Sequence, residues 1–178
     1  IATLPRGTVT VGDHVVWDCA RYDFLRETNE APDTVHPGLW RQGRLNAIHG
    51  LFEVMDGVWQ VRGYDISNLT LIAGNSGWIL VDVLTTAATA EACLKLANEH
   101  LGERPVKAVI YTHSHADHFG GILGVTTPEE VENGNVRIIA PEGFLEEVVN
   151  ENVIAGAAMA RRAMYQLGLF LPPGPRGH

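Results

Sequence analysis

The sequence predicts a mixed α/β domain in which helices pack on a mixed β-sheet. Three observations indicate this fold. Two pairs of short β-prone runs come first, over residues 51–83, and a strand–helix–strand succession follows. The central strands are almost continuously apolar, as in sheets that helices cover. The chain has 178 residues, 46% of them hydrophobic and 19% charged, which is typical of one globular domain.

The first fifty residues differ from the rest of the chain. Residues 1–50 are rich in glycine, proline and charged side chains and show few periodic apolar runs. We therefore predict an extended N-terminal arm over 1–50, with about one helical turn. Residues 51–178 are predicted to carry the regular structure of the domain.

Two turn signals follow the arm and predict successive β-hairpins. Asp56-Gly57 separates two short β-prone runs, and residues 75–77 separate the next two. The run 78–83 is nearly continuous in apolar residues, which predicts a strand covered on both faces.

A helix is predicted after the second hairpin. Thr85 or Thr86 is expected to cap it, and the helix continues to about His100 and ends at Gly102. Its apolar positions follow the i, i+3, i+4, i+7 spacing of an amphipathic helix, at Ala90, Cys93, Leu94 and Ala97.

Two further strands and a long helical segment complete the predicted order. Residues 106–111 form a buried strand and residues 136–140 a later one. From Pro141 to about Leu167 the chain is predicted to be helical. This succession of strands and helices indicates a mixed sheet with helices packed on it.

Charge and composition exclude several functions. The net charge of −8 and the sequence pI near 5.4 leave no basic surface for nucleic acid. No run of about 18 apolar residues is present, so no membrane span is predicted. Cys19 and Cys93 belong to no C-x-x-C pair and do not make a disulfide framework.

The two ends of the sequence favour a piece of a longer or processed protein. The chain starts at Ile1 without a methionine and without a recognisable signal peptide. It stops in the loop-like stretch LPPGPRGH, residues 171–178.

The stretch YTHSHADHFGG, residues 111–121, places three histidines and one aspartate directly after a predicted buried strand. Side chains two apart in an extended chain point the same way, so His113 and His115 can converge on one point. Asp117 and His118 follow where the chain turns into a helix, and they can face a second point nearby. Imidazole and carboxylate are good zinc ligands, and two metals about 3.5–4 Å apart can activate one water. These four residues are therefore the predicted metal ligands.

The alternative interpretation of the same stretch is a run of solvated loop histidines. The position of the four residues at the mouth of an apolar strand favours the metal site. Gly120-Gly121 supports it, because two glycines would let the backbone pass close to the cluster.

The pattern His113-x-His115-x-Asp117-His118 resembles the signature of the metallo-β-lactamase superfamily. The surrounding sequence, from about Leu39 to the end, is similar to the alkyl sulfatases of that superfamily, which hydrolyse dodecyl sulfate and related esters. Three segments carry the resemblance, the last being the most discriminating: LWRQGRLNAIHGLFEVMDGVWQVRGYDISNLTLIAGNSGWILVD, PVKAVIYTHSHADHFGG and ENVIAGAAMARRAMYQLG.

The resemblance implies the first half of an αββα sandwich, so that 51–178 is the N-terminal portion of a catalytic domain. It implies two zinc ions, with two glutamates and another histidine that complete the ligand set outside this chain. It also implies an alkyl sulfate as the small-molecule substrate, a homodimer in the full-length protein, and a periplasmic or secreted location. We therefore expect this chain alone to be inactive.

Other residues receive roles from the same resemblance. Asp117, a ligand, is the candidate catalytic residue. Asp82, at the end of an apolar strand, is expected to brace the loop 111–121 that carries the predicted ligands, here called the metal loop. It could instead cap the next turn. Arg161 and Arg162 are candidates for binding the sulfate group. Such a pair more often forms a solvated helix face.

Two alternative functions stay open at this point. The chain could belong to another hydrolase of the superfamily, which acts on a lactam, lactone or thioester. It could also be a non-catalytic metal-binding fragment with a role in interaction or regulation. The segment 151–168 favours the alkyl sulfatase, and the ligands that the chain lacks favour the fragment.

Overall fold

The computed structural model describes residues 1–172, so the last six residues of the loop-like C-terminal stretch lie outside the described part. A six-stranded mixed sheet has the order β3-β4-β5-β6-β7-β8, and β1 pairs with β2 separately. The strands are β1 Thr8–Val11, β2 His14–Asp18, β3 Gly50–Met55, β4 Val58–Arg62, β5 Leu69–Ala73, β6 Trp78–Val81, β7 Val106–Ile110 and β8 Arg137–Ile139. The α-helices are α1 Phe24–Glu27, α2 Pro37–Asn46, α3 Ala87–Leu101, α4 Ala116–Phe119, α5 Pro128–Glu132, α6 Phe144–Val149 and α7 Gly156–Gln166. The predicted α/β fold class is confirmed.

Both predicted hairpins are present in the six-stranded sheet. β3 pairs antiparallel with β4, and β5 pairs antiparallel with β6. In the first turn Gly57 has φ +77°, a backbone conformation that glycine adopts without strain. In the second turn Gly77 lies so close to the Pro105 carbonyl that a Cβ would overlap that oxygen. Glycine at this position therefore lets the N-terminal ends of β6 and β7 lie close together.

The predicted helix is α3, and it connects two parallel strands. The Thr86 hydroxyl caps it by accepting the Thr89 amide at 3.2 Å, and Gly102 ends it with φ +93°. The crossover places β7 parallel to β6, with Val81 opposite Ile110. The carboxyl ends of both strands consequently lie at the same edge of the sheet.

The main hydrophobic core lies between the sheet and α3. Trp78 and Leu80 of β6 are fully buried and belong to the same core cluster as Ala90, Cys93 and other side chains of α3. The alternate residues of β6 are only half-buried. The two faces of β6 are thus packed unequally, and the second face is covered less completely than the first.

The arm is more regular than the extended segment predicted for 1–50. It contains the β1–β2 hairpin and the ten-residue helix α2. Pro37 occupies the first turn of α2, and the His36 side chain accepts the Gly38 amide at 3.1 Å. The sequence prediction missed this helix because only one of its residues, Trp40, is buried, so its apolar period is weak.

The arm also packs against the body of the domain. The Leu4 amide donates to the Tyr64 hydroxyl at 2.8 Å, and the Trp17 indole donates to the Gly63 carbonyl at 2.8 Å. Tyr64 itself is buried. These bonds attach the start of the chain to the loop after β4.

The segment predicted to be helical from Pro141 to about Leu167 does contain α6 and α7, but the helix is interrupted. α6 continues into a π-helical turn over Asn150–Ile154, and Ala155, with φ −93° and ψ 0°, separates this turn from α7. None of the residues 137–172 is buried. Within residues 1–172 no helix is both long enough and apolar enough to cross a membrane.

Candidate metal centre

The loop that carries the candidate ligands begins at the carboxyl end of β7. His115 is the N-cap residue of α4, so Asp117 and His118 lie on the first turn of this short helix. The sequence prediction of a strand, a loop and then a helical turn is confirmed here. The edge of the sheet at which β6 and β7 both end thus positions the loop.

The structure brings all four candidate ligands together. His113 Nε2 lies 3.0 Å from His115 Nδ1, and the rings of His113 and His118 have centroids 4.0 Å apart. His118 Nε2 lies 3.2 Å from an oxygen of Asp117. The three imidazoles and the carboxylate therefore form one connected cluster.

Asp82 lies behind the cluster, just after β6. It is 7% exposed, and its φ of +57° is uncommon for a residue other than glycine. Its carboxylate accepts the Thr112 amide at 2.9 Å and lies 2.7 Å from His118 Nδ1. An ionised carboxylate only accepts, so His118 Nδ1 donates a hydrogen to Asp82, and in the neutral imidazole Nε2 is then a free electron-pair donor.

Thr112 links Asp82 to a second histidine, His113, by hydrogen bonds. Its hydroxyl lies 2.9 Å from Asp82 Oδ2 and 2.9 Å from His113 Nδ1. The hydroxyl has one hydrogen, which it donates to the carboxylate, so it accepts the Nδ1–H of His113. His113 and His118 consequently both present an unprotonated Nε2. The sequence analysis did not single out Thr112, although its place directly before His113 was a local signal.

The side chains of the cluster fit a metal ion in their chemistry. The free Nε2 of His118 faces the Asp117 carboxylate, so two electron-pair donors confront each other, an arrangement that a shared cation stabilises. Within residues 1–172, however, no three His, Cys, Asp or Glu side chains are arranged to enclose one ion.

The two glycines after the cluster permit a close approach, but to a different segment from the one predicted. A Cβ on Gly120 would overlap the Thr85 carbonyl oxygen, and one on Gly121 would overlap that of Val83. The Val83 amide donates to the His118 carbonyl at 2.8 Å. The glycines thus fit the metal loop against the chain that leaves β6, not against the histidines.

The segment 137–172 contributes one contact to the cluster. Glu151, in the π-helical turn, has an oxygen 3.1 Å from His115 Nε2. Arg161 and Arg162 lie exposed on α7. In the described part of the chain, no hydrogen bond or ion pair joins either arginine to the metal loop.

Ser67 contacts the metal loop without having been predicted, and Asp65 anchors the loop on which Ser67 lies. The Ser67 hydroxyl donates to the Asp117 carbonyl, and the nearby Asp65 is a buried carboxylate that accepts from Thr85 and Thr89. Both lie in the loop after β4. Ser67 and Asp65 lie fifty or more positions before Asp117, so no local spacing pattern indicated them.

A cavity of about 840 Å³ lies between the arm and the loop after β4. Trp17, Phe52 and Arg62 contribute to its lining, together with Ile66 and Asn68. None of the four candidate ligands lines it. The cavity and the cluster are thus separate features on either side of the loop 63–68.

Comparison with known proteins identifies consistent relatives. A profile of the metallo-beta-lactamase superfamily matches residues 62–175. The alkyl/aryl-sulfatase BDS1 of Saccharomyces cerevisiae is 53% identical over 164 residues, which are 92% of this chain and 25% of that protein. A linear primary-alkylsulfatase of Pseudomonas sp. is 51% identical over 164 residues, 92% of this chain and 24% of that protein. The chain thus spans about a quarter of the length of these curated relatives.

A solved structure of an alkylsulfatase has the same fold as this chain over nearly its whole length. The structure of the stereoselective inverting sec-alkylsulfatase Pisa1 from Pseudomonas sp. superposes with a TM-score of 0.87 and 48% sequence identity. The match covers 98% of this chain and 28% of that protein.

Proposed function

This chain belongs to the metallo-beta-lactamase superfamily, and we propose that it supplies the metal loop of a zinc-dependent alkylsulfatase. The resemblance to alkyl sulfatases that the sequence predicted is confirmed, since two relatives with that activity in their names are 53% and 51% identical to it. One observation carries the proposal. The H-x-H-x-D-H loop lies at the end of β7, and the buried Asp82 fixes its histidines.

The superfamily implies a metal site, and we propose two zinc ions. His113 and His115 would hold one ion, and Asp117 and His118 the other, with further ligands from outside this chain. When bound, a zinc pair supplies an activated water and stabilises negative charge on the ester. Asp117 is the candidate catalytic residue, because it is the carboxylate of this ligand set.

Asp82 and Thr112 orient the imidazoles of the proposed ligands His113 and His118. Asp82 holds the proton of His118 on Nδ1, and Thr112 transmits the same constraint to His113. Fixed imidazoles of this kind bind a metal more tightly, because no rotation or change of tautomer has to accompany binding. An oxygen of Glu151 lies 3.1 Å from His115 Nε2.

The proposed substrate is a small alkyl sulfate. Arg161 and Arg162 are proposed to contact its anionic group, which requires a movement or a second surface that brings them to the cluster. A homodimer of the full-length protein is proposed as well, on the resemblance to alkyl sulfatases alone.

The test is an assay of the native protein with dodecyl sulfate, with released sulfate measured by ion chromatography. We expect sulfate release that a zinc chelator abolishes and added zinc restores. The same assay on a lactam and a lactone substrate is the control. Hydrolysis of one of those, with no sulfate release, would overturn the proposal. A parallel sample of residues 1–178 alone is expected to show no turnover, because the loop supplies only two ligands per ion.

A further inference from the structure

Ser67 forms a hydrogen bond with the Asp117 carbonyl, a backbone acceptor that helix α4 leaves without an intrahelical partner. In a continuing α-helix the Asp117 carbonyl would accept the amide of residue 121. Here α4 ends at Phe119, and the Gly121 amide donates to the Leu84 carbonyl at 2.9 Å. The Ser67 hydroxyl donates to the Asp117 carbonyl instead, and Ser67 is 7% exposed. The backbone of a proposed ligand is therefore held by a residue fifty positions earlier.

Asp65 anchors the loop on which Ser67 lies. Its carboxylate accepts the Thr85 amide at 3.1 Å, the Thr85 hydroxyl at 2.5 Å and the Thr89 hydroxyl at 2.5 Å. Asp65 is 7% exposed, so these donors provide the partners that a buried carboxylate requires. The loop is thus attached to Thr85, just before α3, and to Thr89 in its first turn. Gly120 and Gly121 approach the same part of the chain, at the carbonyls of Thr85 and Val83.

The two contacts form one continuous path. α3 holds Asp65, the loop 63–68 connects Asp65 to Ser67, and Ser67 holds the Asp117 carbonyl. Asp65, Ile66 and Asn68 also line the cavity, whereas Ser67 is not among its lining residues. Asp82 fixes the histidines from behind, and it makes no hydrogen bond to Asp117 in the described chain.

We propose that Asp65 and Ser67 are positioning residues that set the placement of the Asp117 carboxylate for metal binding. The proposal rests on metal binding by Asp117, which is part of the proposed function. Removing the Ser67 hydroxyl frees the Asp117 carbonyl and lets the first turn of α4 shift, so the carboxylate loses its fixed distance to His118. Removing a donor to Asp65 loosens the same loop one step further away.

The experiment compares zinc affinity of the native protein with that of Ser67→Ala, by competition against a chromophoric chelator. The matched control is Ser76→Ala, in the exposed turn between β5 and β6. We expect Ser67→Ala to weaken zinc binding by about 10-fold, the lower end of the range for residues that orient a ligand. The control should bind as the native protein does. Equal affinity in Ser67→Ala and Ser76→Ala would overturn the proposal.

A second measurement separates positioning from a general loss of stability. The thermal midpoint of the metal-free Ser67→Ala protein should stay close to that of the native protein, while the visible spectrum of its cobalt-substituted form changes. A lowered midpoint with an unchanged cobalt spectrum would show a merely structural role and overturn the proposal.

A double-variant cycle tests whether the two residues act along one path. Asp65→Asn combined with Ser67→Ala should weaken zinc binding no more than the stronger single variant, because coupled residues are not additive. Additive losses would refute the path. Thr89→Ala, which removes one hydroxyl donor to Asp65, replaces Asp65→Asn if that variant does not fold, and its zinc affinity should fall in the same direction.

The proposed function is tested separately in the same series. If the native protein binds no zinc, or if His113→Ala/His115→Ala binds as much as the native protein, the metal site itself is refuted. If the native protein binds zinc and only the Ser67 and Asp65 variants lack an effect, the metal site survives and the positioning role fails.

Discussion

Residues 50–136 and residues 137–172 meet at the metal loop, but they are packed very differently. The first segment contains nearly all of the core, and Leu51, Leu69 and Leu80 are 0% exposed. The second contains no buried residue, and Leu145 and Phe170 are 76% and 74% exposed. The support of the metal loop follows this difference. The hydrogen bonds that fix the candidate ligands through Asp82, Thr112 or Ser67 come from the first segment. The second contributes the Glu151 contact to His115, the Ile139 carbonyl that accepts the Tyr111 amide, and the Phe144 ring, which packs on Tyr111 and Phe119.

The difference teaches how the site is built. A loop can be held rigidly only by groups that are themselves fixed, and the buried Asp82 and Ser67 are fixed by the core around them. An exposed helix with large apolar side chains offers no comparable anchor. Exposed apolar side chains that lie together on a surface are typical of a contact with another segment or chain.

The largest effect is expected from removing ligands that the first segment holds. His113→Ala/His115→Ala should lose most of the zinc bound by the native protein, because both removed groups are proposed ligands of one ion. Metal content is measured by atomic absorption after dialysis. The control, His14→Ala/His100→Ala, changes two exposed histidines and should retain its zinc. Equal zinc in the two double variants would contradict the assignment.

A pair of leucine variants tests the contrast in packing directly. In residues 1–178, Leu80→Ala should lower the free energy of unfolding by about 2–5 kcal/mol, because it leaves a cavity in the core. Leu145→Ala should change it by no more than about 0.5 kcal/mol, as expected for an exposed position. Urea denaturation followed by circular dichroism measures both. A large loss from Leu145→Ala would show that the second segment is packed against something.

Asp82→Asn is expected to weaken zinc binding by about 10–100-fold without abolishing it. The amide has no negative charge and carries both an acceptor oxygen and an NH2 donor, so it can pair with either tautomer of His118 and no longer holds the imidazole in one. Chelator competition on the native protein gives the affinity. Asp56→Asn, in the exposed first hairpin turn, is the control. An unchanged affinity and activity in Asp82→Asn would refute the bracing role.

The smallest effect is expected at the contact between the two segments. Glu151→Gln removes the charge that faces His115, and partly exposed pairs of this kind contribute about 0–1 kcal/mol. Zinc affinity should therefore stay within about fivefold of the native value. Glu147→Gln on α6 is the control. A loss comparable to that of Asp82→Asn would mean that the second segment fixes the site as firmly as the first.

Much of the fold followed from local patterns in the sequence. Asp56-Gly57 marked the first hairpin, Thr86 and Gly102 bounded α3, and the alternation of His113 and His115 after β7 indicated the metal loop. Each of these signals involves residues within a few positions of one another, where backbone geometry alone decides which side chains share a face. The prediction for the arm failed for the same reason, because α2 buries a single side chain and has little period to detect.

The sequence by itself thus determined the chemistry of the site, which is the set of three imidazoles and one carboxylate on a loop after a buried strand. Only the tertiary structure decided which groups fix that loop. The strand order β4-β5-β6-β7 brings Ser67 and Asp82 to the metal loop from fifty and thirty-six positions away. No spacing rule encodes such contacts, because they depend on the crossover through α3 and on the glycines that permit its close approach. The unequal burial of the two segments was likewise decided by packing, since α6 and α7 carry large apolar side chains that the described chain leaves exposed.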